Sequence, residues 1–503
     1  MNAKRICALV LALLMVFSLT ACGGNGEAEI EEVIEYEYVS GENQGTDGNN
    51  TEDTQQGTQT GTQTGTQTGT QTGTQTGTQT GTQTGTQTGT QTGTQSSSDK
   101  VDPKKYKGTT VRYATWKNAR TNGDEDGPVI ESFEKKYGIK VQLDLIGQGE
   151  YNKKISGFIA AKQNIPDIYF CTGMWPACIK NLQPLDGMKL DMTDPIWDQD
   201  FMNYFSIDGK KYLATTVSNI WNETDVLFYN KKVLQMAGYS DPVGTIDNLV
   251  KQGKWTYANF EKMMSAVDKL GSDYLGGYLS QSAFVASTGA NWFSYKNGQY
   301  SVTFDDKLVD AVKQYSTWIK SGLVSSDFNR IDDFTYDKVG FVAAAAFGLK
   351  TTGFFGGIRG RKMDPNLIGF TYLPDPSTSK KAVAGGGVRG YGLIKGAPNP
   401  IGAGIFLRYY LDVNNYDLDQ AFISKAASDF FFKLTTPQRM KTQNLVHTPG
   451  LQEMRVALQQ SIEAWPVNNS PDQIPTVVKG QTAAYTAMIK DINKTIKNDI
   501  AGK

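Results

Sequence analysis

Ser377 and Lys380 stand three residues apart in Ser377-Thr378-Ser379-Lys380, the spacing at which a lysine base activates a nucleophilic serine. Pro374 and Pro376 place the stretch in a loop, and the companion Ser-Asp-Asn and Lys-Thr-Gly triplets are absent, which argues against acyl transfer. Asn122, Asp124 and Asp126 alternate ahead of Gly127 as calcium ligands do, but the position of the bidentate carboxylate holds Phe133. One histidine, His447, leaves little for histidine metal sites or histidine-assisted catalysis. No phosphate-binding loop of the Gly-x4-Gly-Lys type occurs, so any ATP hydrolysis belongs to a partner. Paired carboxylates for glycoside hydrolysis stay open, because such partners need only meet in space. What the chain has in quantity is aromatic side chains. A ring offers flat area with little entropy to lose and suits the C–H face of a sugar, whose hydroxyls are taken by Asp, Glu, Asn or Arg. Trp116, Trp175, Trp221, Trp292 and Phe354 each fall at an expected loop or strand end, with core packing as the competing reading for each. Trp318, at helical spacing with Val312 and Tyr315, is assigned to the core.

These rings need a scaffold, and order begins near Val101. Thr110-Val111-Arg112-Tyr113-Ala114-Thr115-Trp116 alternates as a strand does. Pro128 suits the first turn of a helix on which Val129, Ile130, Phe133 and Tyr137 share a face, and Gly138 ends it. Residues 139–146 alternate again, and Tyr151, Ile155, Phe158 and Ile159 mark a second amphipathic helix. Pro166-Asp167-Ile168-Tyr169-Phe170 then enters a third strand. This alternation is the pattern of a parallel α/β sheet, whose ligands sit at the carboxyl ends of the strands. That rule puts Trp116 and the turn holding Gly173 and Trp175 in one crevice. Cys171 and Cys178 border the same turn. On one helix they would lie about 10 Å apart, too far for a disulfide, so they pair only if the intervening segment turns. In an exported domain such a bridge is permissible.

The first hundred residues are of another kind. Lys4 and Arg5 precede an apolar run from Ile6 to Leu19, the layout of a secretory signal, and the run is shorter than the roughly 20 residues that span a bilayer. Leu19-Thr20-Ala21-Cys22 resembles the lipobox of bacterial lipoproteins. That resemblance implies cleavage before Cys22 and a diacylglyceryl group on its thiol; an ordinary signal with a cysteine nearby is the alternative. Glu27, Glu29, Glu31, Glu32, Glu35 and Glu37 crowd the next segment, and a Gly-Thr-Gln-Thr repeat fills residues 57–95. Small polar side chains in so short a period have no apolar face and build no core. As a random coil, residues 23–100 reach on the order of 50 Å. The expected organisation is a signal over 1–21, a lipidated Cys22 with a disordered tether over 22–100, and a folded domain over 101–503. Dense threonines leave a glycosylated or adhesive stalk as a rival reading of the tether. The net charge of -1 offers no field that favours nucleic acid or a membrane surface.

Ala160-Ala161-Lys162-Gln163-Asn164-Ile165-Pro166-Asp167-Ile168 is similar to a segment of the extracellular solute-binding proteins of ABC importers, the maltose-binding-protein-like group known as family 1. Val226-Leu227-Phe228-Tyr229-Asn230-Lys231-Lys232-Val233 resembles that family's strand ending in Tyr-Asn-Lys. Gly238 and Pro242 follow in order, then Trp255-Thr256-Tyr257-Ala258-Asn259-Phe260, where the family has Thr-Trp-x-x-Phe with the first two residues reversed. Gly385-Gly386-Gly387-Val388-Arg389-Gly390-Tyr391-Gly392-Leu393-Ile394 resembles its glycine-rich return strand, and residues 398–411 the helix after it. The motifs run in family order through nearly all of 101–503.

The resemblance implies an α/β, two-lobed fold of the periplasmic-binding-protein type II, its lobes joined by hinge strands crossing near 225–229, 384–394 and 444–450. Lobe one is expected over 101–224 and 395–443, and lobe two over 230–383 and 450–503. It also implies that Glu223 supplies a carboxylate to the ligand and Lys117 a polar contact. Arg389 either binds ligand or pairs a carboxylate at the hinge, with ligand favoured. The expected ligand set is therefore Trp116, Lys117, Gly173, Trp175, Trp221, Glu223, Trp292, Phe354 and Arg389, with no catalytic residue, metal or cofactor. The expected protein is a monomeric, lipid-anchored receptor on the outer face of a bacterial membrane. It captures a carbohydrate, an oligosaccharide by preference, and delivers it to importer permease subunits. The alternatives are a surface glycoside hydrolase or lyase, and a structural or adhesive surface protein.

Overall fold

The computed structural model describes residues 101–120, 126–172, 175, 177–218, 224–327, 330–356, 361–374, 389–434, 462 and 464–501. The signal, Cys22, the tether, Gly173, Trp221, Glu223 and the crossing expected near 444–450 lie outside the described residues.

The strands and helices of the first lobe follow the hydrophobic periodicity. β1 (Thr110–Thr115), α1 (Asp126–Tyr137), β2 (Lys140–Leu145), α2 (Tyr151–Ala161) and β3 (Ile168–Thr172) succeed one another, with β1 between β2 and β3 and parallel to both. α1 buries Val129, Ile130 and Phe133, the stripe that the 3.6-residue period dictates. A short strand, β4 (Leu182–Gln183), and a hairpin of β5 (Ser206–Ile207) with β6 (Lys210–Lys211) follow.

The chain then builds a second sheet. β7 (Asp225–Asn230) is followed, after two shorter helices over Lys231–Met236 and Pro242–Lys251, by α3 (Tyr257–Asp268), β8 (Leu275–Leu279) and α4 (Gln281–Ser287). A separate antiparallel hairpin, β9 (Phe293–Lys296) and β10 (Gln299–Val302), precedes α5 (Asp306–Lys320). β11 (Val324–Ser325), β12 (Val339–Ala345) and β13 (Ile368–Thr371) complete the order β11-β8-β12-β7-β13. β8 is parallel to β11 and β12, whereas β7 runs against both of its neighbours. Gly276 is what lets α3 lie on this sheet, since a Cβ there would come within 2.8 Å of the Cβ of Met264. Trp318 is fully buried against Phe260 and Phe284, and its indole donates to Glu261 at 2.9 Å.

β14 (Arg389–Ile394) carries the chain back, slotting antiparallel between β3 and β4 to give the order β2-β1-β3-β14-β4. α6 (Pro400–Tyr410) packs on β1 and α1. The molecule is thus a two-lobed α/β protein, with β7 beginning at Asp225 in one sheet and β14 at Arg389 in the other.

Beyond α6 the chain reaches the second sheet before residue 434. Thr351 N–H donates to Ala421 C=O, Ile423 N–H donates to Leu349 C=O, and Lys350 bridges Phe422. α7 (Lys425–Lys433) then sets Phe430 against Phe370 and Tyr372 at 5.2 and 5.1 Å. The stretch from Ala421 to Leu434 therefore belongs with the second sheet, which corrects the assignment of 395–443 to the first lobe. Sequence spacing alone placed that boundary, and the aromatic contacts that fix it are long-range. The last helix is α8 (Ile474–Ala501). It packs on β10 and α5 of the second lobe, where Asn493 exchanges two hydrogen bonds with the Tyr300 backbone at 2.8 and 2.9 Å, and on the Ala177–Asn181 turn of the first.

Candidate functional site

In the first lobe the carboxyl ends of β1 and β3 are held by one tyrosine. Tyr151 of α2 donates its hydroxyl to Ala114 C=O at 2.6 Å and accepts from Phe170 N–H at 2.9 Å. Burial pushes this phenol far above its ordinary pKa, so it stays a donor at any physiological pH. Just beyond β1, half-buried Trp116 lies against Phe170 at 4.8 Å between centroids, with Tyr151 edge-on at 5.4 Å. Arg389 opens β14 opposite Thr172, and its guanidinium carbon is 5.8 Å from the centroid of the same Phe170 ring. Two of the expected ligand residues, one just beyond β1 and one on β14, thus both approach the Phe170 ring. Half-buried Lys117 adjoins them. Its ammonium is 3.5 Å from the buried carboxylate of Asp126, which also accepts from Tyr416. Asp126 is engaged by side chains at the start of α1, so the calcium reading of that segment lapses. Among the described residues no group of His, Cys, Asp and Glu is arranged to hold a metal.

In the second lobe the carboxyl end of β8 runs into α4 through Ser280, whose hydroxyl caps the helix at Ala283 N–H. The next side chain, Gln281, is 4 % exposed, and neither its Nε2 nor its Oε1 has a partner among the described residues. A buried amide without hydrogen bonds costs free energy, and a ligand that supplies them recovers it. Sequence reasoning missed Gln281. The available signal was its place immediately after a buried strand, at a carboxyl end where α/β ligands bind. A cavity of about 670 Å³ lies instead at the other end of β8, beside Leu275, Asp268 and Arg330. It has no part in this arrangement.

Three of the proposed stacking rings are placed elsewhere. Trp175 is 2 % exposed, enclosed by Phe205 at 5.5 Å, Tyr212 at 6.2 Å and Tyr295 of the β9–β10 hairpin at 6.4 Å. Trp292 packs against Trp465 at 5.8 Å and Phe304 at 6.5 Å, with 4 % exposure. Phe354 is turned onto Phe347 at 5.5 Å. In each case neighbours of the chain itself take up the ring area that a ligand would need.

The signature segments turn out to be structural. Asp167 of Pro166-Asp167-Ile168 accepts from the N–H groups of Arg112 and Asn399, tying β1 and the start of α6 to β3. Burial raises its pKa, with those two hydrogen bonds opposing the rise. Asn230 of the Tyr-Asn-Lys segment accepts from Lys232 and Val233 N–H and donates to Phe334 C=O and Asp337. Lys232 and Arg361 converge on Asp337 at 2.8 Å each. Burial works to raise the Asp337 pKa, but the hydrogen bonds from Lys232 and Asn230 and the two cations outweigh it and hold the carboxyl low.

Solved structures share this architecture. The GacH receptor of Streptomyces glaucescens, determined unliganded and with acarbose and an acarbose homolog, is 19 % identical, with a TM-score of 0.52 over 76 % of this chain and 99 % of that one. The cyclic α-maltosyl-1,6-maltose binding protein of Arthrobacter globiformis gives 13 % identity and a TM-score of 0.57 over 76 % of this chain and all of that one (100 %). UgpB of Mycobacterium tuberculosis, in complex with glycerophosphocholine, gives 15 % identity and a TM-score of 0.55 over 76 % and 98 %. At these identities the likeness is one of fold. No curated protein sequence matches the chain. The profile of bacterial extracellular solute-binding proteins matches residues 128–417, more than half of the chain, and the protein belongs to that family.

Proposed function

We propose that this solute-binding protein is a receptor for a carbohydrate, anchored to the outer face of the membrane through a lipid on Cys22, and that it hands its ligand to the permease subunits of an ABC importer. The observation that carries the reading is the approach of both Trp116 and Arg389 to the Phe170 ring: a half-buried indole suits a sugar's C–H face, and a guanidinium's donors suit its hydroxyls. Gln281 from the second lobe adds a donor and an acceptor. Ligand touching both lobes would favour their closure, because only the closed state offers both sets of contacts. The neighbours that carry acarbose and maltosyl sugars support the choice of ligand class. Among the described residues no helix is long and apolar enough to cross a membrane.

Thermal-shift screening against α- and β-linked oligosaccharides, with glycerophosphocholine as the non-sugar arm, tests the ligand class. A saturable shift with a saccharide, and recovery of that saccharide intact, are expected. A response to the phosphodiester alone would refute the carbohydrate reading, and hydrolysed products would refute the receptor reading.

A further inference from the structure

Cys171 sits near the end of β3 and Cys178 in the Ala177–Asn181 turn that follows, and both are fully buried. Their Sγ atoms lie 3.7 Å apart. Proximity and an oxidising compartment are what a disulfide requires, and membership of an extracellular family supplies the second. Burial raises the Cys178 thiol pKa well above its ordinary value, so in the native fold it is no reactive thiolate.

We propose that Cys171 and Cys178 are joined by a disulfide formed as the chain folds outside the cytoplasm. Two S–H bonds break and one S–S bond forms. The two electrons and two protons reduce the disulfide of an exchange partner, a small-molecule disulfide or a thiol oxidoreductase, to its dithiol. Because both sulfurs are closed off in the native fold, the exchange precedes packing of the turn, and reductants reach the bond only when the lobe opens. The staple sits behind the ligand site. Phe170, which precedes Cys171, is the ring that both Trp116 and Arg389 approach. Cys178 fixes the turn that receives α8, and between the cysteines Trp175 stays locked on Phe205 and Tyr295.

Trypsin leaves both cysteines in one peptide, residues 163–180, since no Lys or Arg lies between its ends. The mature full-length protein, unfolded without reductant and treated with iodoacetamide, should yield this peptide unlabelled and two hydrogens lighter than the dithiol. Reductant added before alkylation should give two labels. Two labels in the absence of reductant would overturn the proposal. A second comparison uses the same chain without substitution: protein unfolded and refolded in reductant should melt several degrees below the untreated protein, because the short closed loop constrains only the oxidised unfolded chain. Equal melting temperatures would overturn the staple.

Discussion

Replacing Gln281 with leucine should move stability and affinity in opposite directions. The amide is 4 % exposed and neither polar atom has a partner among the described residues, so in the unliganded protein it carries a desolvation cost of about 1–3 kcal/mol. Leucine nearly conserves the volume and removes the polar atoms, and most of that cost should return as stability. Gln281→Leu should therefore melt a few degrees higher in calorimetry, given about 2–4 °C per kcal/mol for domains of this order of size. The same change leaves a ligand hydroxyl facing hydrocarbon. Losing its hydrogen bonds at about 1–3 kcal/mol weakens binding by roughly 5- to 150-fold in titration calorimetry. A variant that melts below the wild type, or that binds the identified saccharide equally well, would show that the amide is satisfied within the protein and that the site lies elsewhere.

Trp116→Ala should cut affinity by about 5- to 150-fold with a small change in melting, since the ring is half-buried at a strand end; unaltered affinity would remove Trp116 from the site. Trp175→Ala should do the reverse, costing about 3–5 kcal/mol of stability by denaturant titration and leaving the affinity of the folded fraction intact. The Asp337 carboxyl is held below its unfolded pKa, so its contribution is present above the ordinary carboxylate range and is lost as pH falls through the depressed value. Asp337→Asn should thus lower stability at neutral pH and flatten the acid limb, measured as melting temperature between neutral pH and about pH 3. Cys22→Ala should release the protein from membranes or leave it unprocessed, and normal maturation with membrane retention would refute the anchor.

The first helix of the first lobe could be read directly because its burial is one-sided, and the strands because they alternate with helices. Val129, Ile130 and Phe133 form a stripe at helical spacing, and β1 through β3 alternate with helices of the right length. The motifs marked the family for a related reason: Asp167 and Asn230 satisfy backbone groups where elements join, and few residue types can do that. The ligand rings were not legible in the same way. Trp116 and Trp175 both follow strands, yet one stays half-buried and the other is enclosed by Tyr295, which is distant in sequence. No local pattern carries that information. The boundary near Ala421 was hidden for the same reason, since Phe430 declares its lobe only through Phe370 and Tyr372. Gln281 gave no periodic signal, because its environment is fixed by the sheet that it follows.

The late arrival of β14 bears on how the protein is made. Gln183 of β4 donates to Ile394 C=O at 2.8 Å, a contact that closes 211 residues of chain. Until Arg389–Ile394 has emerged, β3 lacks its neighbour on one side and β4 has no partner strand in this sheet. Closing so long a loop is entropically uphill before any contact rewards it, and topologies rich in such contacts fold slowly. That delay carries a hazard. Truncation before residue 389 would leave the β3 edge open to pairing with other chains, so shortened products should aggregate instead of forming an independent first lobe.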